Sequence, residues 1–108
     1  MSKKVYLFCV AGMSTSMLAK NMQDAANAHN LPITVEAFTA SQIDLIVNQD
    51  HPDCILLGPQ VSYIEEEISE KYGDAYPVSV IDSADYGSMD GERVLKASIL
   101  AMKRFKAR

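Results

Sequence analysis

Four apolar segments, each followed by a segment of helical periodicity, organise the chain. Residues 5–10 are β-branched, aromatic or otherwise apolar without polar alternation, which is typical of a strand covered on both faces. Residues 33–38 alternate between apolar and polar positions, so we expect this strand at an edge of the sheet. Two further short strands are predicted at residues 54–57 and 78–81.

Apolar residues at helical spacing predict helices over residues 14–29, 41–48, 59–72 and 88–104. The second of these begins with Ser41 and has Asp44 three positions later, the pattern of a capping box. Alternation of strands and helices predicts an α/β fold with a mainly parallel sheet.

Ligands in such folds bind beyond the carboxyl ends of the strands. In this chain that edge comprises four loops, predicted at residues 9–16, 39–41, 58–60 and 82–87. The first of them contains most of the reactive and hydroxyl-bearing side chains. We therefore expect the functional site there.

The 108 residues form one domain, 1–108, and their charge is unevenly distributed. All fourteen acidic residues lie within residues 21–92, which contain a single cation, Lys71. An acidic body argues against nucleic acid as a partner, because such a surface needs clustered positive charge. The basic residues 93–108 suit either an arm for an anionic surface or the last turns of a helix, and we adopt the helix interpretation.

Two cysteines without a CxxC motif and two isolated histidines argue against a zinc site, and no cofactor is predicted. No uncharged apolar segment reaches the length of a membrane span. The amino terminus imitates a secretion signal, but its removal would delete the first predicted strand. We therefore expect a cytoplasmic protein with reduced thiols.

The loop that follows the first strand combines a thiol with features of an anion site. Backbone N–H groups in a short turn and at a helix start bind anions. Gly12 relaxes the backbone there, and the positive end of the helix favours the thiolate of Cys9. The predicted phosphate-binding residues are Val10, Ala11, Gly12, Met13, Ser14, Thr15 and Ser16.

Structural interpretations of the same residues stay open at this point. A cysteine that closes an apolar strand is usually part of the core, and three hydroxyl residues at a helix start are commonly caps. Cys54 begins its strand at the opposite edge of the sheet, so we expect it to be buried and inert.

Three segments together resemble a known family. They are residues 6–16, residues 55–60, and residues 80–83 with Tyr86-Gly87 and Asp90-Gly91. In order and spacing these segments are similar to the enzyme IIB component of the lactose/cellobiose/chitobiose branch of the bacterial phosphoenolpyruvate-dependent sugar phosphotransferase system. The resemblance implies an open four-stranded parallel sheet with helices on both faces.

The resemblance also implies a phosphoryl relay through Cys9. The cysteine would accept the group from a phosphohistidine of enzyme IIA and pass it to a sugar, such as a β-linked disaccharide, held by the membrane enzyme IIC. The oligomeric state stays open, and a monomer is expected for a carrier that exchanges partners. Residues at neighbouring strand ends are expected to form a second wall of the site: Gly58, Pro59, Gln60, Asp82, Ser83 and Tyr86.

Two other functions compete with the relay. Tyrosine phosphatases use a Cys-x5-Arg loop, and counting from Cys9 places Thr15 at the arginine position. We expect that the missing arginine clamp keeps hydrolysis slow. Asp82 or Asp85 as a general acid would instead favour a phosphatase-like hydrolase. The third candidate is a non-covalent module that binds an anion or a partner.

Overall fold

The structure, a computed structural model, describes residues 2–10 and 13–107, without the side chains of residues 13 and 14. The strands are β1 (Lys3–Cys9), β2 (Ile33–Thr39), β3 (Cys54–Leu57) and β4 (Val78–Val80). The α-helices are α1 (Met13–Ala28), α2 (Ile43–Asp50), α3 (Glu65–Tyr72), α4 (Ser83–Gly87) and α5 (Gly91–Ala107). Two 3₁₀ helices, Ala40–Gln42 and Pro59–Ile64, precede α2 and α3.

The four strands form one open parallel sheet in the order β2-β1-β3-β4. Strand β2 lies at an edge, as its alternating pattern predicted, and β1 is central. In the register between them Cys9 pairs with Thr39, and on the other side Phe8 pairs with Leu57. The last residue of β1 therefore has a neighbouring strand end on each side.

Both faces of the sheet are covered, which explains why residues 5–9 of β1 do not alternate between apolar and polar side chains. Successive side chains of a strand point to opposite faces. Val5 and Leu7 belong to a core built with α1 and α5, whereas Tyr6 and Phe8 belong to a second core built with α2 and α3. The apolar strand thus supplies both cores, and the fold class predicted from the sequence is confirmed.

One of the four predicted helices, 59–72, is wrong as a continuous element, and another, 88–104, begins and ends three residues later than predicted. The predicted helix 59–72 is a 3₁₀ helix followed by α3, and within the 3₁₀ segment the backbone of Val61 departs from helical angles (φ −118°, ψ 24°). The predicted helix 88–104 is α5 alone, preceded by the separate α4. Between α4 and α5, the backbone of Met89 adopts a left-handed conformation (φ 55°).

The capping box predicted for the helix at residues 41–48 lies at other residues in the structure. Ser41 and Asp44 do not form the capping box; the backbone N–H of Thr39 instead donates to Oε1 of Gln42 at 3.1 Å. The chain enters α2 through this 3₁₀ turn, because β2 extends to Thr39 and the helical turn begins directly after it. The turn brings Thr39 and Gln42 to the carboxyl edge of the sheet.

Candidate functional site

Cys9 is the last residue of the central strand, and three residues separate it from α1. Its side chain is buried, with 1% of its surface exposed. The N-terminus of a 16-residue helix presents free N–H groups and the positive end of the helix dipole. The strand followed by a helix that the sequence predicted is therefore present, with Cys9 at the carboxyl end of the strand.

Gln60 closes over the thiol from the neighbouring strand end. The Cys9 thiol donates a hydrogen bond to Oε1 of Gln60, with Sγ and Oε1 3.1 Å apart. Gly58 makes this approach feasible, because a Cβ atom at that position would lie 2.6 Å from Sγ of Cys9. The backbone of Gly58 is extended (φ −64°, ψ 153°), so the glycine is required for space rather than for its backbone angle. Pro59 begins the 3₁₀ helix that carries Gln60.

Thr15 and Tyr86 meet on the other side of the start of α1. Their hydroxyl oxygens lie 3.0 Å apart in a buried hydrogen bond. Thr15 is therefore not the N-cap of α1 but joins the first turn of α1 to α4. Tyr86, one of the predicted wall residues, therefore fixes Thr15. Thr15 is the residue that stands where a tyrosine-phosphatase loop has its arginine.

A cleft of about 190 Å³ lies between the start of α1 and the end of β2. Val10, Thr15 and Ser16 from the predicted loop contribute to its lining. The β2 side adds residues that the sequence did not single out, Ala37, Phe38 and Gln42, together with Thr39 from a loop that it did. The register of Cys9 with Thr39 explains this neighbourhood, and strand order is the signal that would have identified it.

The acidic residues after β4 are engaged in local structure. Asp82 caps α4 by accepting hydrogen bonds from the backbone N–H groups of Ala84 and Asp85, at 2.9 and 3.2 Å. Ser83 is the first residue of α4. The carboxylate of Asp85 accepts a hydrogen bond from Nε of Arg93 at 2.9 Å. Among the described residues, the contacts of these two carboxylates thus run to α4 and α5.

The second cysteine has a different environment. Cys54 is fully buried at the start of β3, and both cysteines are free thiols. Burial, with a smaller contribution from the Asp53 carboxylate, raises the pKa of the Cys54 thiol to about 12. A thiol that stays protonated is a poor nucleophile, so the predicted inertness of Cys54 has a physical basis.

Some of the predictions lie outside the described residues. Ala11 and Gly12 are not described, nor are the side chains of Met13 and Ser14.

Within the described part of the chain, no three His, Cys, Asp or Glu side chains are grouped closely enough to hold a metal ion. Over the same residues, every helix is too short or too polar to cross a membrane.

A larger groove of about 510 Å³ lies beside the amino end of β4 and the last turns of α5. Tyr76, Pro77, Val78 and Arg104 are among the residues that line it. It lies at the sheet edge opposite Cys9, whereas Val10, the residue next to Cys9 in sequence, lines the smaller cleft. The position of Cys9 therefore favours the smaller cleft as the functional site.

Comparison with known proteins identifies the family of this chain. A family model described as the lactose/cellobiose-specific IIB subunit of the PTS system matches residues 4–97. A galactose-specific EIIB component from Lactococcus lactis subsp. cremoris is 39% identical over 100 residues, covering 89% of this chain and 93% of the relative. A cellobiose-specific EIIB component from Lactococcus lactis subsp. lactis has the same identity and coverage.

A solved structure extends the likeness to the fold. The solution structure of a cellobiose-specific phosphotransferase IIB component from Borrelia burgdorferi superposes with a TM-score of 0.72. Its sequence is 31% identical, and the match covers 94% of each chain. With the family model spanning most of the residues, the chain belongs to the lactose/cellobiose-specific IIB subunit family of the sugar phosphotransferase system.

Proposed function

We propose that Cys9 carries the phosphoryl group in this IIB component. It accepts the group from a phosphohistidine of enzyme IIA and transfers it to a sugar held by the membrane enzyme IIC. The protein works in the cytoplasm as a monomer and reaches the membrane through enzyme IIC. No metal or organic cofactor takes part.

The observation that carries the proposal is the position of Cys9. Cys9 is the last residue of the central strand β1, and three residues separate it from the N-terminus of α1. Phosphoryl transfer is catalysed mainly by positioning and by stabilisation of negative charge. The first turn of α1 provides N–H groups and a positive dipole end for the oxygens of a phosphocysteine. The proposed phosphate-binding segment is residues 10–16, of which Val10, Thr15 and Ser16 line the cleft.

The chemical step needs no further reagent. A new S–P bond forms at Cys9 as the N–P bond of the phosphohistidine breaks. The electron pair of that bond stays on the imidazole nitrogen, which takes up the thiol proton. In the second half-reaction a sugar hydroxyl oxygen forms an O–P bond as the S–P bond breaks. The electron pair of the S–P bond stays on sulfur, which takes up the hydroxyl proton.

The hydrolase alternative is less well supported by the surroundings of the site. A phosphatase needs a general acid for the leaving group. Asp82 is used as the cap of α4, and Asp85 pairs with Arg93. The arginine position holds Thr15, which is buried against Tyr86. These contacts support a carrier that retains its phosphoryl group over an enzyme that hydrolyses it.

The sugar is a β-linked disaccharide such as cellobiose, chitobiose or lactose, bound mainly by enzyme IIC. Two features support this division of roles. The cleft of about 190 Å³ is below the roughly 300 Å³ at which pockets for small molecules begin. Two relatives of equal identity carry the names of different sugars, galactose and cellobiose. Sugar choice therefore lies with the partner rather than with this chain.

The test is phosphorylation in a purified system. The protein is incubated with phosphoenolpyruvate, the two general phosphotransferase proteins and a cognate enzyme IIA, and then analysed by intact mass and peptide mapping. We expect one phosphoryl group on the peptide that contains Cys9, absent without IIA. Cys9→Ser should abolish it, and Cys54→Ala should retain it.

An unmodified protein in the presence of a working enzyme IIA would overturn the proposal. Repeated turnover of an aryl phosphate would favour the hydrolase. Retained binding of an anion by Cys9→Ser, without any phosphorylation of the wild type, would favour the non-covalent module.

A further inference from the structure

Gln60 is the side chain that meets the reactive end of Cys9. The cysteine is almost fully buried, whereas Gln60 is exposed on the first turn of its 3₁₀ helix. The hydrogen bond from the thiol to Oε1 of Gln60 spans 51 positions of sequence. The Gln60 amide therefore lies between the sulfur atom and the solvent, and it fixes where the thiol proton points.

Local structure on β3 holds the two side chains together. The N–H of Gly58 donates to the carbonyl oxygen of Phe8 at 2.8 Å, which joins the ends of β3 and β1. The N–H of Val61 donates to the carbonyl of Gly58 at 3.0 Å and closes the turn that carries Gln60. A Cβ atom on Gly58 would lie 2.6 Å from Sγ and 3.1 Å from Oε1 of Gln60. A glycine is thus needed for this contact.

The contact suits only one chemical state of the cysteine. A carbonyl oxygen accepts a hydrogen bond from S–H, but it has no proton to accept once the sulfur bears a phosphoryl group. The other atom of the same amide, Nε2, carries two donors. Rotation about the terminal torsion of an exposed glutamine exchanges the two atoms, because that torsion is broad and roughly two-fold.

We propose that Gln60 is a positioning residue that follows the state of Cys9, which rests on the phosphocysteine function proposed above. In the free protein Oε1 holds the thiol proton and keeps the sulfur unreactive toward other electrophiles. When the S–P bond forms, the proton leaves with the imidazole, and the amide turns so that Nε2 donates to a phosphoryl oxygen. The same residue therefore protects the thiol before transfer and stabilises the product after it.

Two substitutions at Gln60 have opposite effects on the free thiol. Gln60→Leu removes the acceptor, so alkylation of Cys9 by iodoacetamide should become faster by about fivefold, the worth of one neutral hydrogen bond. Gln60→Glu replaces the amide with a charged acceptor, which holds the thiol proton more strongly and should make alkylation slower. The expected alkylation rates therefore rise from Gln60→Glu through the parent to Gln60→Leu. If residue 60 only shielded the sulfur from solvent, the rates would not follow this order.

The phosphorylated state should respond in the other direction. Gln60→Leu loses a donor to a charged oxygen, so the equilibrium ratio of phosphorylated to free protein against enzyme IIA should fall by about tenfold. Gln60→Glu should lower it further by repulsion of the phosphoryl group. Loss of structure would also raise alkylation and lower phosphorylation, so the slower alkylation of Gln60→Glu is the result that separates positioning from loss of structure.

The experiment uses the full chain with Cys54→Ala, so that Cys9 is the single thiol. Alkylation rates at one pH and phosphorylation ratios are measured for Gln60→Leu, Gln60→Glu and the parent. Gln49→Leu and Gln49→Glu repeat the same changes on an exposed glutamine of α2 and should match the parent in both measurements.

Equal alkylation of the parent and Gln60→Leu would overturn the role in the free protein. Equal phosphorylation of the two would overturn the role in the phosphoprotein. If the parent itself is not phosphorylated on Cys9, the proposed function fails instead, and the order of alkylation rates still decides whether Gln60 controls the thiol.

Discussion

The hydroxyl groups of Thr15 and Tyr86 share a hydrogen bond of 3.0 Å in the protein interior. Only 4% of Thr15 and 8% of Tyr86 are exposed, so water does not replace this contact. The bond connects the first turn of α1 with the short helix α4 across 71 positions of sequence. Since residues 10–16 are the proposed phosphate-binding segment, Tyr86 helps to fix one end of it.

This pair should couple in a double-mutant cycle. Thr15→Val or Tyr86→Phe leaves a buried hydroxyl without its partner, and each should lower the free energy of unfolding by about 1–3 kcal/mol. The double variant should cost less than the sum of the single variants. Urea unfolding measures these values, with Tyr63→Phe on the surface as a control that should not change them. Additive effects would contradict the coupling.

The burial of Thr15 decides which substitution can test its role at the position of the phosphatase arginine. An arginine at position 15 would have to displace Tyr86, so Thr15→Ser is the informative change for the phosphocysteine. It keeps the hydroxyl and should retain phosphorylation by enzyme IIA, whereas Thr15→Val should reduce it. The ratio of phosphorylated to free protein provides the measurement, and equal ratios for serine and valine would exclude a role of the hydroxyl.

Gly58 should not tolerate a side chain. The methyl group of Gly58→Ala would lie 2.6 Å from Sγ of Cys9, so the thiol must move. We expect a loss of about 1–3 kcal/mol in stability from overpacking and a marked loss of phosphorylation on Cys9. Gly87→Ala is the matched control, because nothing lies within 4 Å of its added Cβ. Normal phosphorylation of Gly58→Ala would show that the thiol position is not critical.

Gly91, the first residue of α5, packs directly against the backbone of α1. An added Cβ would lie 2.4 Å from the backbone carbonyl carbon of Asn21 and 2.6 Å from the N of Met22. Backbone atoms of a helix cannot yield as a flexible side chain can, so Gly91→Ala should cost at least about 1–3 kcal/mol. Thermal unfolding compared with Gly87→Ala measures the effect. A cost equal to that of the control would mean that the helices separate freely.

Asp44 should contribute to stability only above acidic pH. Its hydrogen bond from Tyr72, followed by that from Lys71, lowers the pKa of the Asp44 carboxyl below its usual value of 3.8. A lowered pKa in the folded state means that the contribution is present above the unfolded value and is lost as the pH falls through the folded value. The stability difference between wild type and Asp44→Asn should therefore be constant near neutral pH and should close below about pH 4. A difference that persists in strong acid would contradict this cause.

Cys54 should resist alkylation while the protein is folded. Burial raises the pKa of its thiol to about 12, and the side chain is fully enclosed. Iodoacetamide at pH 8 should therefore modify Cys54 only after unfolding in urea, as peptide mapping would show. Modification of the native protein at Cys54 would indicate that β3 opens locally.

The division of the predicted helix 59–72 shows where pattern alone is insufficient. Helical spacing of apolar residues continues through residues 59–72, yet Val61 leaves the helical conformation and packs into the second core. Spacing reports which face of a segment is buried, but it does not distinguish a 3₁₀ turn followed by a helix from one continuous helix. In the same way, the left-handed Met89 could not be identified from its residue type.

The sequence by itself determined the strands, the covering of β1 on both faces, and the cysteine at a strand end before a helix, because these depend on periodicity along short segments. The tertiary structure alone decided that Gln60 meets Cys9, that Thr15 meets Tyr86, and that Thr39 lies beside Cys9. These pairs lie far apart along the chain. They come together through the strand order β2-β1-β3-β4 and the packing of helices on it, which local patterns do not encode.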